Sequence, residues 1–558
     1  MDRTSAPGPR ARRPALLGVG AVGAFALALA LATPPSTAVG TTSGGATSAA
    51  STVTATPTVT AQGAGPSAAT GPPATPTLLT SSFLGGAEWD EGADIEVDAA
   101  GSSYVTGFTL SPDLRTAGAT QARFAGLADG FVTKVSADGL PLWSTYLGGA
   151  DIDLPSSLAL DRDGNVYVTG RTASSDFPTT PGAFQTTLRG TLCQRQVPCH
   201  DAFVTKLSPD GRLVYSTLLG GSANEEGVGI AVDRRGRAWV TGTTDSSDLP
   251  VVRPLQRRFQ SPPCPGDLPC EYDVFVAALT ADGSRLHFST YLGGGAHDTA
   301  GGIAVDDRGS AYVTGTTRSA DFPVSARALQ RHIRGLACGP PPGEPCLDAF
   351  VTKIAGRRLA WSTYLGGSRD ERSSGVAVDE TGQAIVTGST RSTDLPLRNA
   401  GQQRLGNSSC STEVPEEQCD DAFVTQLTDD GRRLVSSTYL GGQAEDQGLA
   451  VDVDTSGNTF VAGRTDSRDF PVLQATQRAF GGYIDGFVAE LAQGSGRVVR
   501  STFVGGSKAD RVTGVDTHPS GSVHLTGRTL SPDFPTVSPF QPALGKADEY
   551  DAFVQVLR

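Results

Sequence analysis

Apolar and polar positions alternate with a period of two through most of this chain, in short bursts. From Ser289 it reads STYLGG, an acidic loop, GGIAVD, the turn DDRG, SAYVTGTT, a long loop opening SADFP, and DAFVTKI. The runs STYL, GIAV, AYVTG and AFVTKI are rich in Val, Ile, Thr and aromatic residues and are bounded by Gly or Asp. That pattern predicts strands joined by tight turns, four to a unit. The grammar then returns: a Gly-Gly preceded by a strand-like run ends at Gly86, Gly149, Gly221, Gly294, Gly367, Gly442 and Gly506, a spacing of roughly 63 to 75 residues. Such a period belongs to propellers and solenoids rather than to a single-core enzyme domain.

A D-x-x-G sits between the second and third runs, from Asp98, Asp161, Asp233, Asp306, Asp379 and Asp454, with His518 in the Asp position of the seventh copy. It suits a short hairpin whose Gly takes a positive φ. The ends of the repeat are out of phase. It opens with Leu78 to Leu84, which matches the run before every Gly-Gly, and closes with Asp551 to Leu557, after which that run is missing. A ring must close without leaving strand edges exposed, so the N-terminal strand is expected to pair with Ala552 to Leu557 and complete the last blade. The predicted fold is all-β: a seven-bladed propeller over residues 78–558, four antiparallel strands per blade.

The ordered recurrence of STYLGG, IAVD-x-x-G, YVTG-x-T, S-x-D-F-P and DAFVTK over essentially all of residues 78–558 resembles the SBBP-type beta-propeller repeats of bacterial exported proteins. The resemblance implies the architecture and export. It leaves the activity open.

Ahead of the repeats the composition changes. Arg10, Arg12 and Arg13 precede an uncharged Ala/Leu/Gly run from Ala15 to Ala32, which reads as a secretory signal over residues 1–32 or, alternatively, as an N-terminal membrane anchor. Residues 33–77 are Ser, Thr, Ala, Pro and Gly without a charge and predict a disordered tether. The net charge is −13, and residues 1–32 carry four Arg against one Asp, so the remainder is three charges more acidic still. An acidic ring argues against nucleic acid and against anionic lipid, and no membrane insertion of the propeller is expected. Eight cysteines fall as four close pairs: Cys193 with Cys199, Cys264 with Cys270, Cys338 with Cys346, and Cys410 with Cys419. Export favours local disulfides over a metal site, which would want C-x-x-C spacing or nearby His.

Three acidic positions per unit are assigned to one face. Four residues after each Gly-Gly stand Asp90, Asp153, Glu225, Asp298, Glu371, Asp446 and Asp510; Asp113 and its equivalents occupy the S-x-D motif; Asp129 to Asp551 open the third blade strand. Positions filled in every blade are poor catalytic candidates, because a ring supplies the same environment at each. Two readings remain: acceptors for backbone N–H groups that lock blade to blade, or a cation-attracting mouth. No cofactor is expected, calcium being the one cation whose oxygen preference suits these groups.

Asymmetry points elsewhere. On the innermost strands Ala159, Ala231, Ala304 and Ala377 occupy a position that holds Glu96, Asp452 and Asp516 in three contiguous blades. These could line one side of the channel. Asp452 to Asn458 (DVDTSGN) is similar to a calcium loop, but Gly463 stands where the bidentate Glu belongs, which favours an ordinary hairpin. Trp89 stands alone in its acidic loop, as a stacking platform for a sugar or a lid. No G-x-S-x-G, H-E-x-x-H, Walker or dinucleotide motif occurs in a supporting context. The expectation is a monomeric, exported, non-enzymatic binding or scaffold module for an extracellular protein or glycan, with Glu96, Asp452, Asp516 and Trp89 as ligand contacts. Two rivals stand beside it: a hydrolase or lyase acting on an extracellular polymer through those carboxylates, and a purely structural surface protein.

Overall fold

The computed structural model describes residues 77–190, 192–193, 198–261, 271–335, 338, 345–406 and 419–558. The signal or anchor expected over residues 1–32 and all but the last residue of the tether expected over 33–77 lie outside the described residues, as do Cys264, Cys270 and Cys410. The described residues carry twenty-eight strands in seven four-stranded antiparallel sheets, all within one unit that begins at Thr75. The fold is a seven-bladed β-propeller. None of the described residues forms a helix long and apolar enough to cross a membrane.

Blade 1 sets the pattern, from the channel outward: β2 (Asp90–Val97), β3 (Ser103–Thr109), β4 (Asp129–Val135) and β5 (Pro141–Leu147). The strand before it, β1 (Leu78–Leu84), belongs to blade 7. There it pairs with Asp551–Leu557, Leu78 opposite Leu557 and Leu84 opposite Ala552, so the first strand closes the ring as the phase of the repeat requires. The loop before that last strand also holds β1: Ser81 and Val537 exchange backbone hydrogen bonds, as do Thr77 and Arg558.

The hairpin glycines behave as predicted, with φ from 70° at Gly236 to 87° at Gly382. Asp98 shows why Asp precedes them. Its Oδ1 accepts the N–H groups of Ala100 and Ser102, while its Oδ2 meets the Tyr104 hydroxyl and lies 3.2 Å from Lys134 Nζ. His518 builds the same turn in blade 7, where Gly521 N–H donates to its carbonyl at 2.8 Å. The DVDTSGN stretch is an ordinary hairpin, closed by Gly457 N–H on the Asp454 carbonyl with Asp454 Oδ1 accepting from Ser456 and Asn458.

Core residues lie between blades rather than within them. One cluster joins Val132, Trp143 and Leu147 of blade 1 to Leu158, Val166 and Phe203 of blade 2. The tyrosines before Gly-Gly are fully buried and do more than fill space: Tyr146, Tyr291, Tyr364 and Tyr439 each donate a phenolic O–H to the carbonyl of the Ser in an S-x-D motif, at 2.6 to 2.9 Å.

Candidate functional site

The recurrent carboxylates are assembled at the blade junctions. Asp90, Asp153, Glu225, Asp298, Glu371 and Asp446 have no exposed surface, and Asp510 has 1%. At the junction of blades 7 and 1, Asp90 Oδ2 accepts Gly86 N–H at 2.7 Å and Ser111 Oγ–H at 2.9 Å, and Asp113 Oδ1 accepts Ala87 N–H. The same three bonds recur at other junctions, for example at Gly149, Ser174 and Ala150. These groups serve the backbone of the loop, as the first of the two sequence readings holds. They do not form an open mouth; only the S-x-D carboxylates such as Asp113 and Asp176 face solvent.

Each inner-strand acid is joined by the third-strand Asp of the preceding blade. Desolvation first, and then the charge of the facing inner-strand acid, Asp90 or Asp446, push Asp551 up to about 7 and Asp421 up to about 8. This pairing explains the first glycine of Gly-Gly. A Cβ on Gly441 would lie 2.7 Å from Asp446 Oδ2 and 3.0 Å from Asp421 Oδ1.

One partner escaped sequence reasoning. A glutamine in the loop between second and third strands (Gln121, Gln185, Gln256, Gln330, Gln402, Gln477, Gln541) accepts the first Gly N–H through Oε1 at 3.0 to 3.2 Å and donates through Nε2 to the third-strand Asp. Its signal was present as a repeated Gln followed three residues later by Phe, Leu or Ile, hidden by loops of unequal length.

In the channel the structure does bring Glu96, Asp452 and Asp516 together, all half-buried. Asp516 Oδ2 accepts Val97 N–H at 2.6 Å from the next blade, and Asp452 Oδ2 accepts the N–H and hydroxyl of Thr517 at 2.9 and 2.5 Å. A fourth acid, Asp94, reaches into blade 2 and accepts Leu158 N–H and the Ser157 hydroxyl. An innermost strand has an edge with unpaired N–H groups, and these carboxylates satisfy them across the junction. Among the described residues Glu96 receives no such bond. Desolvation, then the charges of Asp516, Asp94 and Asp452, hold it well above the usual carboxylate range. Asp516 is likewise raised, by desolvation and by Asp452.

Trp89 is not part of that group. It precedes β2 while Glu96 is its penultimate residue, so the two lie at opposite ends of the channel, roughly 20 Å apart at the rise of a strand. The indole is half-buried between Phe108 and Tyr550, with ring centroids at 6.1 and 5.3 Å. The Arg528 guanidinium lies 5.6 Å from it and 4.6 Å from Tyr550, and pairs with Glu91 at 3.0 Å. Exposed Leu127, Leu192 and Tyr483 stand on loops of the same face.

Among the described residues two of the four expected disulfides are present, Cys193–Cys199 and Cys338–Cys346, with Cα separations of 5.0 and 4.8 Å. Cys419 is also disulfide-bonded. Cys338, Cys346 and Asp370 come close enough to suggest a metal cage, but the sulfurs are bonded to each other.

Residues 142–178, 214–250, 288–323 and 437–471 each match the model of the SBBP family, described as a beta-propeller repeat. These segments are SBBP beta-propeller repeats. Each SBBP match runs from the outermost strand of one blade through the first two of the next, so the sequence unit is offset by one strand from the structural blade. The regulatory protein FlaEY of Caulobacter vibrioides is 26% identical over 327 residues, covering 56% of this chain and 31% of that protein. The chain therefore matches less than a third of the relative's length. Among solved structures, the WD40 propeller domain of Doa1 is similar at a TM-score of 0.41 and 10% identity, over 87% of this chain and 97% of that one. Sqt1 from Chaetomium thermophilum is similar at 0.37 and 10% identity, over 86% and 98%.

Proposed function

We propose that the chain is exported and acts as a non-enzymatic binding or scaffold module, with an extracellular protein or glycan as ligand and the loop face around Trp89 as contact surface. A break in the sevenfold pattern carries this reading. Where blade 1 has Trp89, the other blades have Ile152, Asn224, His297, Asp370, Glu445 and Ala509; the indole meets Tyr550 and Arg528 of the neighbouring blade, whereas His297 in the equivalent place meets Tyr272 at 5.5 Å. Aromatic faces beside a guanidinium suit the apolar face and hydroxyls of a sugar or a planar peptide group. Stapled loops on the same rim, at Cys193–Cys199 and Cys338–Cys346, give such a surface fixed walls. The test is a glycan array and an envelope-extract pull-down with the full chain, repeated with Trp89→Ala. Any ligand found should bind the variant at least about tenfold more weakly, a loss of about 1.4 kcal/mol. Unchanged affinity would remove Trp89 from the site.

The rival reading as a hydrolase or lyase rests on one observation, that Glu96 stands beside Asp452 and Asp516 with its carboxyl pushed well above the usual range by burial and then by neighbouring carboxylates. A protonated carboxyl next to a carboxylate is the arrangement a general acid needs. Polymer-degradation assays with the triple alanine variant discussed below decide it.

A further inference from the structure

In the seven junction carboxylate pairs the third-strand members are not alike, although the inner-strand Asp90, Asp153, Asp298, Asp446 and Asp510 all carry an Oδ1 without a partner. In three, both oxygens of the third-strand Asp have donors: Oδ1 accepts Gly126 N–H for Asp129, Gly482 N–H for Asp485 and the Ser261 hydroxyl for Asp273. In the other four, those of Asp201, Asp348, Asp421 and Asp551, Oδ1 is fully buried and has no hydrogen-bond partner. Their Oδ2 atoms are satisfied normally; Asp551 Oδ2 accepts from Gln541 and Gly545, and Asp421 Oδ2 from Gln402 and Gly406.

The orphan oxygen does face something. A Cβ on Gly85 would lie 2.7 Å from Asp90 Oδ2 and 3.1 Å from Asp551 Oδ1, and one on Gly366 would lie 2.5 Å from Glu371 Oε2 and 2.7 Å from Asp348 Oδ1. So at Gly85, Gly366 and Gly441 the atom without a donor and a carboxylate oxygen of the next blade lie over the same glycine, while at Gly220 the nearest atoms are those of Asp201 itself. The inner-strand oxygen has its own donors, such as Gly86 N–H and the Ser111 hydroxyl on Asp90 Oδ2, but the third-strand Oδ1 has none, and a buried charged oxygen without a donor beside a second carboxylate is destabilised by the lost hydrogen bond and by repulsion.

We propose that each of these four junctions holds one proton, carried on the orphan Oδ1 of Asp201, Asp348, Asp421 or Asp551 and donated to the facing inner-strand carboxylate, so that the ring is clasped by carboxyl–carboxylate bonds that open as pH rises. A calcium ion would need six to eight oxygens, whereas Asp551 Oδ2 and Asp90 Oδ2 are already taken by N–H and O–H donors, which a cation would displace. The surrounding charges agree. Asp421 is faced by Asp446 and by Asp420, which is paired with Arg391 at 2.6 Å, and Asp551 by Asp90 and Asp113. Asp201 is faced by Arg189, Asp248 and Glu225, and Asp348 by Arg334, Asp370 and Glu371. Burial chiefly, and then these neighbours, push Asp421 up to about 8 and Asp348 and Asp551 up to about 7.

The sign follows. A carboxyl raised in the folded state binds its proton more tightly there than in the unfolded chain, so its stabilisation is present at low pH and is lost as pH rises through the folded value. Between the unfolded value of 3.8 and about 8 for Asp421, each held proton makes the unfolding constant grow up to about tenfold per pH unit.

The experiment measures denaturant midpoints of the full chain from pH 5 to 9, for wild type, Asp421→Asn and Asp485→Asn, with calcium and with chelator. An asparagine amide donates as the protonated acid does, so Asp421→Asn should keep its stability at pH 8 and lower the pH slope by up to about tenfold per unit. Asp485→Asn places an amide against Gly482 N–H and should be destabilised at every pH. An infrared band of a protonated carboxyl at neutral pH, weakened in Asp421→Asn, would support the proposal directly. Equal losses in both variants, an unchanged slope, or calcium stabilisation that Asp421→Asn abolishes would overturn it, the last in favour of a bound cation.

Discussion

Replacing Phe83 by Ala probes the seam at which the ring closes. Phe83 is 1% exposed, stands opposite Phe553 in the ladder, and packs on Phe534 at 5.9 Å. Its counterpart in blade 6, Phe503, is 2% exposed and packs on Phe470 and Phe480 at 6.1 and 5.6 Å. Truncating either ring should remove about 3–5 kcal/mol. The consequences should differ, because the strand bearing Phe503 is joined through the chain to ring strands at both ends, while among the described residues β1 is joined through the chain to the ring at Gly85 and Gly86 alone. Releasing β1 returns about 1–2 kcal/mol of backbone entropy per residue, which offsets most of its hydrogen bonding and leaves apolar burial to hold it. Phe83→Ala should therefore free β1 locally, whereas Phe503→Ala lowers global stability. Hydrogen exchange reads the difference: amides of Asp551–Leu557 facing β1 should lose protection in Phe83→Ala while blade 4 keeps its own. An exposed strand edge should also promote self-association. If both variants fall equally in global stability and those amides stay protected, β1 is not the weak seam.

Replacing Glu96, Asp452 and Asp516 together by Ala should leave the ring folded, since four blades already carry Ala there, and circular dichroism will show this. Stability should change by less than about 3 kcal/mol, the lost caps on Val97 and Thr517 being offset by relief of repulsion. Loss of polymer-degrading activity in this variant would establish the enzymatic reading, and loss of glycan affinity without Trp89 dependence would move the ligand into the channel. Reducing the disulfides should cost little globally, roughly 2–3 kcal/mol at most per bridge for such short loops, and should show as protease sensitivity confined to the loops. Peptide mapping that found connectivity between loops would refute local stapling.

The sequence by itself determined the ring. Period-two runs set the strands, D-x-x-G set the hairpins because Asp can accept two local N–H groups and Gly can take positive φ, and the unmatched ends at Leu78 and Asp551 required closure between first and last strands. All of this is local chemistry or counting. The direction of a carboxylate is neither. Asp90 at the start of a strand is compatible with an open mouth or a sealed junction, and the choice depends on Asp551, which lies at the other end of the chain. Asp452 and Asp516 were visible as departures from Ala, but their role as acceptors for the neighbouring blade's edge depends on how inner strands approach one another. In the sequence Trp89 and Glu96 stand together as asymmetric features of one ligand site; the length of β2 sets them at opposite ends of the channel. Tertiary structure decided these points because each turns on which oxygen meets which hydrogen across a junction, and no pattern along one strand encodes that.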